Sequence, residues 1–194
     1  ILAAFQGLGV LRGGNTLQEG ILAELGNTVM SLPSMERGRA LDKARKRARS
    51  LFQNLIPTTK MRIKEDERGL IISLAADTYF REGSADVDIE ETREVLRNLV
   101  KLLSAPELVN NKFRIEGHTD SIPTDPGSEY ATNWELSTAR ATNVLHYLVE
   151  FGANESQFQV AGFADTVPLY DNDTPEGRAA NRRVDIVILT EGHL

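Results

Sequence analysis

Cysteine is absent from this 194-residue chain, so it holds no disulfide, no thiolate zinc site and no cysteine nucleophile. Only three histidines occur, and they do not cluster as a histidine-rich metal centre would require. No run of about 18 apolar residues exists, which excludes a helical membrane span within these residues. An initiating Met and a recognisable signal peptide are also lacking. The chain begins abruptly with the apolar stretch Ile1 to Leu11, and the expectation is that a segment lies upstream of it.

What is present has the balance of a folded protein, with 41% hydrophobic and 26% charged residues. The length suits one domain of ordinary size plus an extra segment. The net charge of −6 is unevenly spread: residues 1–64 carry 11 Lys/Arg against 4 Asp/Glu, and residues 65–194 carry 11 against 24. An acidic main body excludes nucleic acid as its ligand, because phosphate contacts need a cationic face.

Ile1, Phe5, Leu8 and Leu11 recur at a helical period, which predicts a short amphipathic helix weakened by Gly7, Gly9, Gly13 and Gly14. Asn15 and Thr16 can cap a second helix with Leu17, Ile21, Leu22 and Leu25 on one side. Ser34 and Glu36 open a third, running from Arg37 to Phe52. Its apolar stripe (Ala40, Leu41, Ala44, Ala48, Leu51, Phe52) is narrow and set among cations, and that charge run reads as a solvated face.

From Met61 the period changes to two. Met61 and Ile63 alternate with charges, Glu65 to Gly69 reads as a hairpin loop of about five residues, and Leu70 to Leu74 forms the return strand. A helix follows over Ile89–Ser104, then a strand over Lys112–His118. Phe113, Ile115 and Gly117 lie on one side of that strand, with Lys112, Arg114, Glu116 and His118 on a wet side. A Pro/Gly-bearing loop, Ser121–Thr132, leads into helix Asn133–Glu150, and strands Phe158–Phe163 and Val184–Leu189 close the order. The predicted class is α+β: β-β-α-β-α-β-β, a mixed sheet of four or five strands with the helices on one face.

The junction from Gly117-His118-Thr119-Asp120 to Asn133 and Arg140 gathers a carboxylate, hydroxyls, an amide and a guanidinium near a helix start. Asp120 suits an ammonium, and Arg140 suits a carboxylate as a planar bidentate fork. The same residues also fit a plain loop acid and a solvated helix arginine. His118 near Asp120 could pass for a general base, though a hydrogen-bonded structural histidine is the expectation. Asp165, Asp171 and Asp173 resemble calcium ligands but lack the Gly and terminal Glu of an EF-hand loop, so no metal is assigned. Trp134 reads as a packing residue at the helix start rather than a sugar platform.

Four separated motifs then coincide: Ile115-Glu116-Gly117-His118-Thr119-Asp120; Asn133 through Leu136-Ser137 to Arg140-Ala141; Gly162-Phe163 with Pro168; and Gly177-Arg178 with Asn181-Arg182-Arg183-Val184. In order and approximate spacing they resemble the OmpA-like peptidoglycan-binding domain over roughly residues 60–190. Asp120-Ser121-Ile122-Pro123, Asn133-Trp134-Glu135-Leu136-Ser137 and Arg68-Gly69-Leu70-Ile71-Ile72-Ser73-Leu74 resemble, within it, the periplasmic region of MotB-type flagellar stator subunits. The resemblance implies a non-enzymatic wall anchor without cofactors. Residues 1–56 would be plug and linker helices after a missing transmembrane helix, and residues 57–194 the wall-binding domain. Implied partners are peptidoglycan, a second copy in a homodimer, and a MotA-type channel subunit reached through that helix. The implied location is the periplasmic side of the inner membrane. Asp120 and Arg140 match the pair that holds the ammonium and carboxylate of the stem-peptide diamino acid. Thr119, Asn133 and Arg182 match neighbouring ligand contacts, and Arg183 a loop support. An outer-membrane protein of the OmpA or Pal type, tethering the envelope to the wall, is the alternative.

Overall fold

A computed structural model describes residues 33–81 and 83–190. The helices expected over 1–11 and from Asn15 onward therefore lie outside the described residues. Helix α1 (Pro33–Leu51) turns its Leu41, Ala44 and Ala48, with Phe52 just beyond, into the main core. These positions are spaced by three and four, so one face is apolar while Lys43, Lys46, Arg47 and Arg49 stay exposed. The cationic run read as a solvated face is thus exposed, while Leu41, Ala44, Ala48 and Phe52 of the stripe are buried.

Strands β1 (Met61–Asp66) and β2 (Gly69–Ala75) pair antiparallel down to Asp66 opposite Gly69. Only Glu67 and Arg68 separate them, so the loop is shorter than the five residues expected. The Asp66 carboxylate accepts from the Arg68 N–H at 2.9 Å and tightens the turn. Gly69, at φ 142°, lets the strand run close along its next neighbour, where a Cβ would lie 1.9 Å from the Ile188 carbonyl oxygen.

A one-turn helix that the sequence did not suggest, α2 (Ala76–Tyr79), follows β2, and a bridge between Phe80 and Val87 closes the next loop. Helix α3 (Ile89–Leu103) starts at Asp88, whose side chain caps the Glu90 N–H. Then come β3 (Phe113–His118), α4 (Asn133–Glu150, capped by Thr132), β4 (Phe158–Gly162), α5 (Pro175–Asn181, capped by Thr174) and β5 (Arg183–Leu189). Helix α5 lies in the connection between the last two strands read from the sequence.

The sheet has five strands in the order β1-β2-β5-β3-β4. Only β3 and β4 are parallel, joined by the crossover through α4. The last strand, β5, sits in the middle and pairs antiparallel with both β2 and β3. Leu70, Ile72 and Leu74 of β2, Phe113 and Ile115 of β3, and Val184, Ile186 and Ile188 of β5 form one face. Helices α1, α3 and α4 all pack there, as in the expected one-sided α+β layout.

The other face is not the wet one expected. Ile71, Val187 and Leu189 form a small separate apolar cluster, and Glu116, His118, Arg183 and Asp185 are all buried. The chain beyond β4 covers part of this face: the Phe163 ring stacks on His118 at 5.3 Å, and Arg183 donates to the Val167 carbonyl at 3.2 Å.

Helix α4 approaches the sheet at two glycines. A Cβ on Gly117 would lie 1.9 Å from the Ser137 carbonyl oxygen, and one on Gly162 would lie 2.1 Å from Thr138 Oγ1. Gly117→Ala must push the helix off the strand and should cost about 1–3 kcal/mol, as other overpacked sites do. Gly127→Ala, where nothing lies within 4 Å, is the control. Urea unfolding followed by far-UV circular dichroism should show a lower midpoint for the first variant only.

Candidate ligand-binding site

The C-terminal end of β3 delivers Thr119 and Asp120, α4 delivers Asn133 and Arg140, the start of β5 delivers Arg182, and α2 delivers Asp77. Together they line an open pocket of about 1060 Å³. All five residues singled out in the sequence thus meet in one place. Asp77 was missed; its only sequence signal is that it is the single charged residue between the end of β2 and Phe80.

Two of the three arginines that line the pocket, Arg182 and Arg140, are in opposite situations. Arg182 is saturated: Nε and Nη2 donate to the two oxygens of Asp77 at 2.7 and 2.6 Å, and Nη1 donates to Asp120 Oδ2 at 2.5 Å. These bonds, those to Asp77 foremost, raise its pKa above the usual guanidinium value. Arg140 is 5% exposed and forms no ion pair among the described residues. Its Nε donates to the Ser84 carbonyl at 2.9 Å, and its guanidinium lies 5.4 Å from the Phe80 ring centroid. Burial lowers its pKa, with the nearby Asp77 charge opposing the shift. A guanidinium nevertheless keeps its proton, so the pocket holds a buried positive charge with no negative partner.

Four of the charged residues that line the pocket, Asp77, Asp120, Arg140 and Arg182, balance in sum but not in place. Asp77 and Asp120 share one cation, which leaves a negative surplus on their side, while Arg140 supplies a positive end. A ligand carrying an ammonium and a carboxylate matches that division.

Thr119 and Asn133 differ in role. The Thr119 hydroxyl is buried with no hydrogen-bond partner and lines the pocket, which leaves a donor and an acceptor for a ligand. Asn133 Nδ2 donates to the Asp120 and Ile122 carbonyls at 3.2 and 2.9 Å, tying the loop Ser121–Thr132 to the start of α4. That loop contributes Ile122, Pro123 and Tyr130 to the outer wall. Arg183 stays out of the pocket and supports the chain beyond β4 through the Val167 carbonyl. Trp134 is 51% exposed, against its reading as a packing residue. It sits two residues, about 200° of helix, from Leu136 at the start of the inward arc, and so points outward.

A mixed sheet with helices on one face and a charge-divided pocket at the end of its central strands defines a binding module. The chain belongs to the OmpA family, whose model matches residues 79–182. It is 38% identical over 130 residues to YtxE of Bacillus subtilis (strain 168), covering 66% of this chain and 52% of that protein. It is 32% identical over 137 residues to Motility protein B of the same organism, covering 69% and 50%. The cell wall anchor of the T6SS from Pseudomonas aeruginosa has a similar structure, with a TM-score of 0.64, 28% identity, and coverage of 74% of this chain and 96% of that one. The chain spans about half the length of the two Bacillus relatives.

Just before Asp120 on β3 lies a second charged group, buried on the other face of the sheet. Arg68 Nη1 and Arg114 Nε donate to Glu116 at 2.7 and 2.8 Å, and Arg183 Nε donates to Asp185 at 3.0 Å. His118 was expected to be hydrogen-bonded. Instead its Nε2 stands 3.6 Å from Asp185 and 3.8 Å from Glu116, and neither ring nitrogen has a hydrogen-bond partner. One ligand atom from each of Glu116, His118 and Asp185 falls within 4.8 Å of the others. Three guanidiniums already outnumber the two carboxylates, so a divalent cation would meet a positive surplus.

Burial would raise the Glu116 pKa, but His118, Arg114 and Arg68 outweigh it and hold the carboxyl at about 2, below the ordinary 4.5. A carboxyl depressed in the folded state contributes stability above its unfolded pKa and loses it as pH falls through the folded one. That contribution, of the order of a few kcal/mol, should be complete above about pH 4.5 and vanish towards pH 2. Urea midpoints measured across that window should fall steeply for the parent and more shallowly for Glu116→Gln.

Proposed function

We propose that this chain is a non-enzymatic cell-wall anchor, the periplasmic part of a flagellar stator subunit of the MotB type. Its pocket takes the free ammonium and carboxylate of the diamino acid in a peptidoglycan stem peptide. The observation that carries this reading is Arg140, a buried guanidinium with no carboxylate partner, set opposite two carboxylates that share Arg182. A stem-peptide carboxylate would supply the missing charge to Arg140, and the ammonium would sit by Asp120. Similarity to a motility protein and to a cell wall anchor supports the same reading.

The pocket's task here is holding rather than chemistry. Among the described residues no histidine or cysteine lines the pocket, and His118 is packed away on the other face of the sheet. Each contact is modest, but a dimer binding one polymer network gains by effective concentration. In this reading the domain pairs with a second copy, and an upstream helix joins a MotA-type channel subunit in the inner membrane. Residues 1–56 serve as plug and linker, with the stripe Ile1, Phe5, Leu8 and Leu11 closing the channel until the wall is engaged.

In a pulldown on purified sacculi, Asp120→Ala and Arg140→Ala should each weaken binding about tenfold or more, since truncating one partner of a buried charge pair costs about 2–5 kcal/mol. Arg140→Lys should recover only part, because it restores charge without the planar fork. Parent-like binding by both alanine variants, with folding confirmed, would remove the site. For the plug, deleting residues 1–11 from the full-length protein should increase ion leak and slow growth; cells indistinguishable from the parent would end that role.

A further inference from the structure

A second cavity, of about 550 Å³, opens beside the pocket and is lined along α4 by Trp134, Thr138, Ala139, Thr142 and Asn143, with Tyr130 at one end. Tyr130 lines both cavities, and the consecutive residues Asn133 and Trp134 each line one of them. The groove is the outward surface of α4: Trp134, Thr138 and Thr142 form one row at four-residue spacing, and Glu135, Ala139 and Asn143 form the next. Small side chains make the floor flat, and the half-exposed indole stands at its upper end.

Most of the free polar groups in this groove are acceptors. Thr138 Oγ1 donates to the Trp134 carbonyl at 2.8 Å, and Thr142 Oγ1 donates to the Thr138 carbonyl at 2.9 Å. Asn143 Nδ2 donates one N–H to the Ala85 carbonyl at 2.8 Å. The threonine oxygens, Asn143 Oδ1 and the Glu135 carboxylate remain as acceptors, and the second Asn143 N–H remains as a donor. No Lys or Arg lines the groove. Its complement is therefore a ligand without negative charge, with flat C–H faces for the indole and hydroxyl and amide groups for the rim. An anionic polymer does not fit that description. An N-acetylated pyranose does.

We propose that this groove is a subsite for the sugar strand of the polymer whose stem peptide enters the neighbouring pocket, with Trp134 as the stacking platform. The proposal rests on the stem-peptide reading given above and adds the second half of the ligand. In peptidoglycan the peptide and the sugar strand are covalently joined, and the two cavities are joined at Tyr130.

Trp134 is the only tryptophan in the chain, so its fluorescence reports on this groove alone. A chito-oligosaccharide, a chain of N-acetylated pyranoses without the lactyl carboxylates that amidase-stripped glycan exposes, should cause a saturable change in its emission. Ala139→Arg, which fills the floor, should abolish that change while the circular dichroism spectrum stays that of the parent. Trp134→Ala should weaken binding to intact sacculi roughly three- to tenfold, as loss of one aromatic contact does. The same variant should bind a soluble stem tripeptide as tightly as the parent.

An unchanged emission at saturating glycan, together with parent-like sacculus binding by Trp134→Ala, would overturn the proposal. So would an emission change on dilution that tracks dimer dissociation in sedimentation, because the groove would then be a protein interface. A parent that responds to glycan but fails to bind the tripeptide would instead count against the stem-peptide site alone.

Discussion

The backbone of α4 rests on the ends of β3 and β4 with no room for a side chain at Gly117 or Gly162. Ser137 sits at that contact, its hydroxyl accepting from the Ala164 N–H at 3.1 Å and donating to the Trp134 carbonyl at 3.1 Å. One turn on from Ser137, Arg140 points into the space beyond β3, where Asp120 has just left the sheet. The distance between the two ligand-facing charges is thus set by a backbone contact and not by the flexibility of either side chain. The same contact turns the opposite side of the helix outward, which is why Trp134 and the groove below it are available to a partner.

Within the pocket the protein separates two uses of arginine. Arg182 stabilises the fold around the site, joining α2 to the segment after β3 through two carboxylates. Arg140 is kept dry by Phe80 and the Ser84 carbonyl and forms no ion pair among the described residues. An unpaired buried cation lowers stability in the empty state. What it offers in return is an anion site whose partner must come from outside. The Glu116–Asp185 group behind it shows the other solution, in which every buried carboxylate is already matched by guanidinium.

Much of this was legible in the sequence where period and chemistry agreed. The alternation in Phe113–Ile115 and Val184–Ile188 and the helical stripes of α3 and α4 gave the element order. The spacing of Asp120, Asn133, Arg140 and Arg182 gave a site whose members do meet. The misreadings share one cause: charge was equated with solvent. Arg114, Glu116 and His118 looked like a wet strand face, yet mutual pairing and the cover from Phe163 make that face part of the interior. Asp77 escaped because a lone acid in a one-turn helix has no period to betray it. Its significance comes only from Arg182, 105 residues away in sequence.

The last strand to be made is the one in the middle. β5 joins the β1–β2 hairpin to the β3–α4–β4 unit, and Arg182 stands at its threshold. Neither half of the sheet has its central neighbour until the final few residues of the domain arrive, so the folding nucleus has to close a loop spanning most of the chain. Topologies with such distant pairings fold slowly, on the scale of about milliseconds to seconds. The pocket is completed in the same step as the sheet, because Arg182 is placed beside Asp77 and Asp120 only when β5 docks.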